Sequence, residues 1–175
     1  MKNINFAPFP ILTSERLTLR QLEINDQQDI FALRTDTEIN KYLDRVPSKT
    51  IEDAINFINK VNDSIEENIA FYWAITLTDT KKFVGTICIF NFSSEKNSCE
   101  IGYELMTKFQ SQGIMKEAAQ IVINYAFHAL KLRNLLALTH CNNQNSTKLL
   151  LKLNFVKSTE TDKENPDLII FTLIQ

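Results

Sequence analysis

The chain reads as an α/β protein of the α+β mixed-sheet kind, one partly antiparallel and partly parallel sheet with helices on both faces. Three observations predict it. Three strand-like runs follow one another between residues 70 and 106 with only polar turns between them, as in an antiparallel meander. A fourth apolar run, Leu135 to Cys141, lies beyond a whole amphipathic helix, which is the spacing of a parallel βαβ crossover. The length of 175 residues, with 44% hydrophobic and 23% charged residues, suits one domain spanning residues 1–175 around one core. The 12 phenylalanines predict a Phe-rich interior.

Taken in order, the elements are these. Leu17 to Leu22 alternates apolar and polar residues and reads as a first strand. Asn25-Asp26 offers an N-cap for a helix to about Arg34, and a short helical segment follows near Thr37 to Tyr42. Ser48 or Thr50 caps a longer helix from Ile51 to about Glu66, with Ile51, Ala54, Ile55, Ile58 and Val61 on one face. Ala70 to Thr78, Phe83 to Phe92 and Ser98 to Met106 are the meander strands. The next helix begins after Gly113 and runs to about Leu130, its apolar positions from Met115 to Leu130 recurring at helical spacing. After the Leu135 strand, Asn145 or Ser146 caps a short helix to Leu153, and Asn154 falls where a left-handed residue closes it. Phe155 to about Thr159 and Leu168 to Ile174 complete the order β-α-α-β-β-β-α-β-α-β-β.

The stretch from Phe109 to Ala119 is the most informative. It carries one of only three glycines and leads from a strand through a short polar loop into the start of a helix. First-turn N–H groups have no intrahelical partner and the helix dipole favours negative charge there, so the loop suits a phosphate or pyrophosphate. Net charge is −2 with a pI near 5.7, which excludes a strong basic field for nucleic acid. No apolar run approaches the ~18 residues of a membrane span. Met1 to Pro10 lacks the apolar core of a signal peptide, so the expected compartment is the cytoplasm. Cys88, Cys99 and Cys141 lie far apart in apolar runs and read as buried, reduced thiols. His128 and His140 have no acidic partner nearby in sequence, and no cluster has metal-ligand spacing.

Five segments, in this order, carry a resemblance. They are Leu12-Thr13-Ser14-Glu15-Arg16-Leu17-Thr18-Leu19-Arg20, then Phe83-Val84-Gly85-Thr86-Ile87, then Glu100-Ile101-Gly102-Tyr103. Gln112-Gly113-Ile114-Met115-Lys116-Glu117-Ala118 follows, and last comes Asn143-Gln144-Asn145-Ser146 with Leu150-Leu151-Lys152-Leu153-Asn154-Phe155. Together they resemble the GNAT N-acetyltransferases, closest to the RimJ/RimL-like branch that acetylates protein N-termini along with related small-molecule enzymes.

The resemblance implies a GNAT fold and acetyl-CoA as cosubstrate, with no metal. Gln110, Ser111, Gln112, Gly113, Ile114, Met115 and Lys116 would cradle the pyrophosphate. Leu105, Met106 and Thr107 would run beside the pantetheine arm, where the strand splays from Leu135–Cys141. Asn143 would contact the pantetheine amides. Lys148 and Lys152 would meet CoA phosphates or form a solvated helix face. Glu100 would take a proton from the amine, directly or through water. Ser146 would sit near the sulfur and help protonate the thiolate, or serve as the helix N-cap; many GNAT enzymes place a Tyr acid in this helix, and this one has none. Glu104 would touch substrate. The acceptor would be a protein N-terminus or a small amine, without nucleic acid or membrane, in a monomer or homodimer. Asp36, Glu38, Asp44, Glu52 and Asp53 hint at an acidic groove for a cationic amine. A non-catalytic acyl-CoA sensor of the same fold is the competing reading.

Overall fold

A computed structural model describes residues 7–175. The reading of the N-terminus over residues 1–6 lies outside the described residues. Among the described residues, one eight-stranded sheet has the order β1-β2-β3-β4-β5-β6-β8-β7. Its strands are β1 (Leu12–Thr13), β2 (Leu17–Gln21), β3 (Phe71–Leu77), β4 (Phe83–Ser93), β5 (Ser98–Leu105), β6 (Asn134–His140), β7 (Val156–Thr161) and β8 (Leu168–Ile174). The helices are α1 (Gln27–Thr35), α2 (Thr37–Asn40), α3 (Ile51–Glu66), α4 (Ile114–Asn124) and α5 (Gln144–Lys152). The meander and the βαβ crossover are present as the sequence predicts: β3, β4 and β5 pair antiparallel, and β5 pairs parallel with β6.

Three local features differ from the sequence reading. β1 is a two-residue strand turning back onto β2, too short to leave a periodic signal. The long helix after Gly113 is α-helical only to Asn124 and widens into a π turn over Tyr125–Ala129. That turn holds the Tyr125 ring edge-on to Phe71 and Trp73, with centroids 5.6 and 5.9 Å away. The interior is mainly aliphatic rather than Phe-rich. Trp73, Phe71, Phe155 and Phe171 are fully buried among leucines and isoleucines, whereas Phe9, Phe31, Phe57, Phe92 and Phe109 are only partly buried.

Local chemistry explains most boundaries. Thr50 and Asp53 make a reciprocal capping box at the start of α3, whose Ala54, Ile58, Val61 and Ile65 are buried. Asn154 takes φ 66°, closing α5 as expected of an asparagine after a helix. Gly85 is required by close approach: a Cβ there would lie 2.3 Å from the Glu104 carbonyl oxygen and 3.0 Å from the Leu105 Cα.

One topological fact positions the site. β5 and β6 pair only at Ser98↔Asn134, Cys99↔Leu135 and Glu100↔Leu136. β5 nevertheless runs on to Leu105, and β6 runs on to His140 while keeping full register with β8. The two central strands therefore diverge after Glu100, leaving a wedge whose β5 edge has backbone groups unmatched by β6.

Candidate functional site

The wedge opens beside the loop that leads into α4. Ser111 has φ 62° and Gly113 φ 78°, and no side chain caps the helix. The first N–H groups of α4 are thus left for an anion. The N-terminal segment fixes this loop from behind. Arg16 Nε donates to Glu117 Oε2 at 2.8 Å and Arg16 Nη1 to the Gln112 carbonyl at 3.3 Å, while Ser14 Oγ donates to Glu117 Oε1 at 2.6 Å. The Ser14-Glu15-Arg16 motif is therefore a clamp on the start of α4. Gln112 faces this clamp and bonds the Lys108 carbonyl, so it supports the loop from outside the cleft.

A cleft of about 660 Å³ runs along the wedge. Leu105, Thr107, Gln110, Ser111, Gly113, Ile114, Met115, Lys116, Asn143, Ser146 and Lys148 all line it, with Lys152 beside them. Met106 is buried outside the lining, its N–H spent on the Val84 carbonyl. Gln110 Nε2 donates to the Leu105 carbonyl at 3.2 Å, tying the loop to the end of β5. The ammonium groups of Lys116, Lys148 and Lys152 give this end of the cleft the charge that phosphates need.

At the mid-point of the cleft Asn143 Oδ1 caps α5 by accepting the Ser146 N–H at 3.1 Å. The cap is Asn143, two or three residues earlier than the sequence reading of Asn145 or Ser146, and this leaves the Ser146 hydroxyl free of capping. It lies 2.9 Å from the Tyr103 hydroxyl. Burial pushes the Tyr103 phenol up to about 12, so it stays protonated. Glu100 stands at the last parallel pair, outside the cleft lining, and accepts from Asn91 Nδ2 at 3.1 Å.

Of the three cysteines, Cys99 is buried as expected, whereas Cys88 and Cys141 are half-buried; desolvation pushes the Cys88 and Cys99 thiols up to about 12, so they stay protonated. His140 Nδ1 accepts the Asn142 N–H at 3.1 Å and its ring packs on Tyr42. Among the described residues, no group of three His, Cys, Asp or Glu is placed to hold a metal, and no helix is long and apolar enough to cross a membrane.

Glu38 and Glu104 also line the cleft, whereas Arg45 and Arg34, which sequence reasoning missed, lie outside its lining. Arg45 Nη1 and Nη2 donate to Glu104 Oε1 and Oε2 at 2.6 and 2.7 Å, and these side chains are only 16% and 14% exposed. Arg45 Nε is held by Asn40 Oδ1 at 2.7 Å. The acidic groove does not form as expected. Asp36 caps α2 and accepts the Thr107 hydroxyl, Asp53 is spent on its capping box, and Asp44 and Glu52 are exposed. Glu38 alone of those five lines the cleft. Arg34 lies over the Phe57 ring, its Cζ 4.0 Å from the centroid, and its buried Nε has no hydrogen-bond partner among the described residues.

Comparison with known proteins bears on this geometry. Residues 16–156 match the family described as the acetyltransferase (GNAT) domain. A Bacillus subtilis protein, the uncharacterized N-acetyltransferase YoaA, is 34% identical over 149 residues, 85% of this chain and 84% of its own. The structure of RimL, a ribosomal L7/L12 alpha-N-protein acetyltransferase in complex with coenzyme A, superposes with a TM-score of 0.83. It is 17% identical, covering 94% of this chain and 98% of that one. The spermidine N-acetyltransferase of Vibrio cholerae, in complex with CoA and spermine, superposes with a TM-score of 0.79 at 20% identity. The match covers 93% of this chain and 97% of that one.

Proposed function

The chain belongs to the GNAT acetyltransferase family, and from that premise we propose that it transfers the acetyl group of acetyl-CoA to a primary amine by direct attack in a ternary complex. The observation that carries this reading is the wedge between β5 and β6 opening beside the uncapped start of α4. An extended arm fits alongside a strand edge, and a pyrophosphate fits a helix N-terminus flanked by lysines. The residues present suit acetyl-CoA, which supplies the activated acyl carbon.

In this reading the N–H groups of residues 111–116, with Gly113 keeping the backbone close, hold the pyrophosphate, and Gln110, its N–H spent on the Thr107 carbonyl, ties the loop to β5. Lys116 and Lys148, with Lys152 alongside, neutralise phosphate charge. The β5 end at Leu105 and Thr107 lies along the pantetheine, Met106 packs outside the cleft with its N–H and carbonyl both paired, and Asn143 sets the orientation of Ser146. Glu100 takes the proton that the amine sheds as its nitrogen bonds to the acyl carbon, reaching it through water because its carboxylate lies outside the cleft lining. The carbon–sulfur bond breaks, and Ser146 Oγ–H donates to the sulfur. The two hydroxyls of Tyr103 and Ser146 lie 2.9 Å apart; with Tyr103 as the donor, the serine proton points outward and is polarised. The acceptor is the α-amine of a protein N-terminus, in the manner of the RimL neighbour, or a small amine; the reading places the enzyme in the cytoplasm.

Thermal denaturation with acetyl-CoA, CoA, ATP and NAD tests the premise. A ligand at ~100 times its dissociation constant adds about 2.7 kcal/mol to stability. Stabilisation by the two CoA species alone supports the reading, and stabilisation by another nucleotide instead overturns it. Ser146→Ala and Glu100→Gln then separate catalysis from sensing. Lost turnover with retained acetyl-CoA affinity supports the assigned roles, whereas a wild-type protein that binds acetyl-CoA and acetylates no amine is a sensor.

A further inference from the structure

The cleft takes its lining from both faces of the sheet. Tyr103 bonds Ser146 of α5, so Glu104, the next residue of β5, belongs to the opposite face, where Arg45 meets it. On the α4 and α5 side the charged lining residues are Lys116, Lys148 and Lys152. On the other side the lining comes from α2 and the turn after it: Glu38, Ile39, Tyr42 and Leu43, with Glu104 from β5. Both Glu104 oxygens are bound by Arg45. Glu38 is exposed and has no ion-pair partner among the described residues. The remaining three side chains are apolar over most of their surface; Ile39 and Tyr42 are half-buried and Leu43 is exposed.

This apolar segment is anchored by both strands that border the wedge. Towards β5, Arg45 Nε donates to Asn40 Oδ1 at 2.7 Å while its fork grips Glu104, and Asp36 Oδ2 accepts the Thr107 hydroxyl at 2.9 Å. Towards β6, the Tyr42 ring packs on His140 with centroids 5.5 Å apart. A wall ordered in advance adds little entropy cost when a ligand covers it. Each methylene moved from water onto such a wall is worth up to about fourfold in affinity. Pairing an exposed carboxylate such as Glu38 is worth at most about fivefold, and only once. Building on the transferase reading above, we propose that the acceptor is a primary amine carrying an apolar body, which packs on Ile39, Tyr42 and Leu43. The negative charge of Glu38 disfavours acceptors that bear a carboxylate or phosphate. A polyamine finds one free carboxylate there and sets its further cations against apolar side chains.

Acetyl-transfer kinetics on the full chain test this with two sets of acceptors. One runs from propylamine to hexylamine, with aminohexanol, aminohexanoate and hexamethylenediamine beside it. The other is a set of dipeptide amides beginning with glycine, leucine or lysine. The expected result is a kcat/KM that rises at least about twofold with each added methylene, the scale of partial burial. Hexylamine should exceed the alcohol, the carboxylate and the diamine, and the leucine amide should exceed the other two. The two sets tell a small amine from a protein N-terminus, and where only one is turned over, that one decides. In Leu43→Ser the apolar preference should flatten through KM, with affinity for acetyl-CoA unchanged, and Leu43→Met should retain it. In Glu38→Gln the disadvantage of aminohexanoate should shrink. A flat series, or equal or better use of the diamine or the lysine amide by the wild-type protein, overturns the proposal. So does an apolar preference that survives Leu43→Ser in full. The wild-type panel decides even where a variant folds poorly. Turnover without apolar preference overturns the apolar wall alone, whereas acetyl-CoA binding without turnover of any amine overturns the transferase reading and this one together.

Discussion

The two ends of the cleft are made in different ways. The end beside α4 is made of backbone: uncapped N–H groups, two residues with positive φ, and a strand edge freed by the divergence of β5 from β6. The part lined by Glu104 is set by side chains: Arg45, outside the lining, grips Glu104 in a fork that joins residues far apart in the chain. Backbone construction binds a feature shared by many ligands, a pyrophosphate, and tolerates change in the side chains around it. Side-chain construction binds what is particular to one ligand and is lost with a single substitution. Generic recognition and specific recognition are thus separated along one cleft.

The sharpest way to break both ends at once is Gly85→Ala. The added Cβ meets Glu104 and Leu105 backbone rather than a movable side chain, so destabilisation of about 3 kcal/mol is expected in urea unfolding. Because the displaced residues carry the acceptor wall and begin the cofactor edge, affinity for both substrates should fall. Arg45→Met acts on one end alone. It strands Glu104 in a mostly buried position, at a cost of about 2 kcal/mol after allowance for its residual exposure. The KM for the amine should rise, while the acetyl-CoA dissociation constant measured by calorimetry stays constant. An equal loss of acetyl-CoA affinity would show that the two ends are not separable.

Gly113→Ala is the converse probe. The nearest atom to its Cβ, an Arg16 nitrogen, is 3.6 Å away, so there is room, and the strain lies in the positive φ. About 1 kcal/mol of stability should be lost, with weaker acetyl-CoA binding and an unchanged amine KM. The smallest effect concerns pH. Burial opposes ionisation of Glu117, but the Ser14 hydroxyl and the Arg16 guanidinium outweigh it and hold the carboxyl below its ordinary value. A depressed folded-state value contributes stability above the unfolded value, near 4.3 for a glutamate. That contribution is lost as pH falls through the folded value. The clamp is partly solvated, so less than about 1 kcal/mol is at stake. The melting temperature of Glu117→Gln should therefore lie below wild type at neutral pH and converge with it below about pH 4.

The sequence by itself determined whatever is encoded over short stretches. The meander, the crossover, the capping box of α3, the left-handed Asn154 and the anion loop with its glycine each have a signature within a few turns of chain, because periodicity, caps and turn residues act locally. Even so, the two-residue β1 and the π turn at Tyr125–Ala129 escaped, one too short for a period and the other set by packing against Phe71 and Trp73. Only the tertiary structure decided the side-chain pairings. Arg45 meets Glu104 and Tyr103 meets Ser146 because separate elements are brought to one sheet, and no local pattern marks either partner. The same holds for the acids between Asp36 and Asp53: their number suggests an acidic groove, yet folding spends Asp36 and Asp53 on helix starts. Composition fixes how many charges a region carries, and the fold alone fixes which of them are already satisfied.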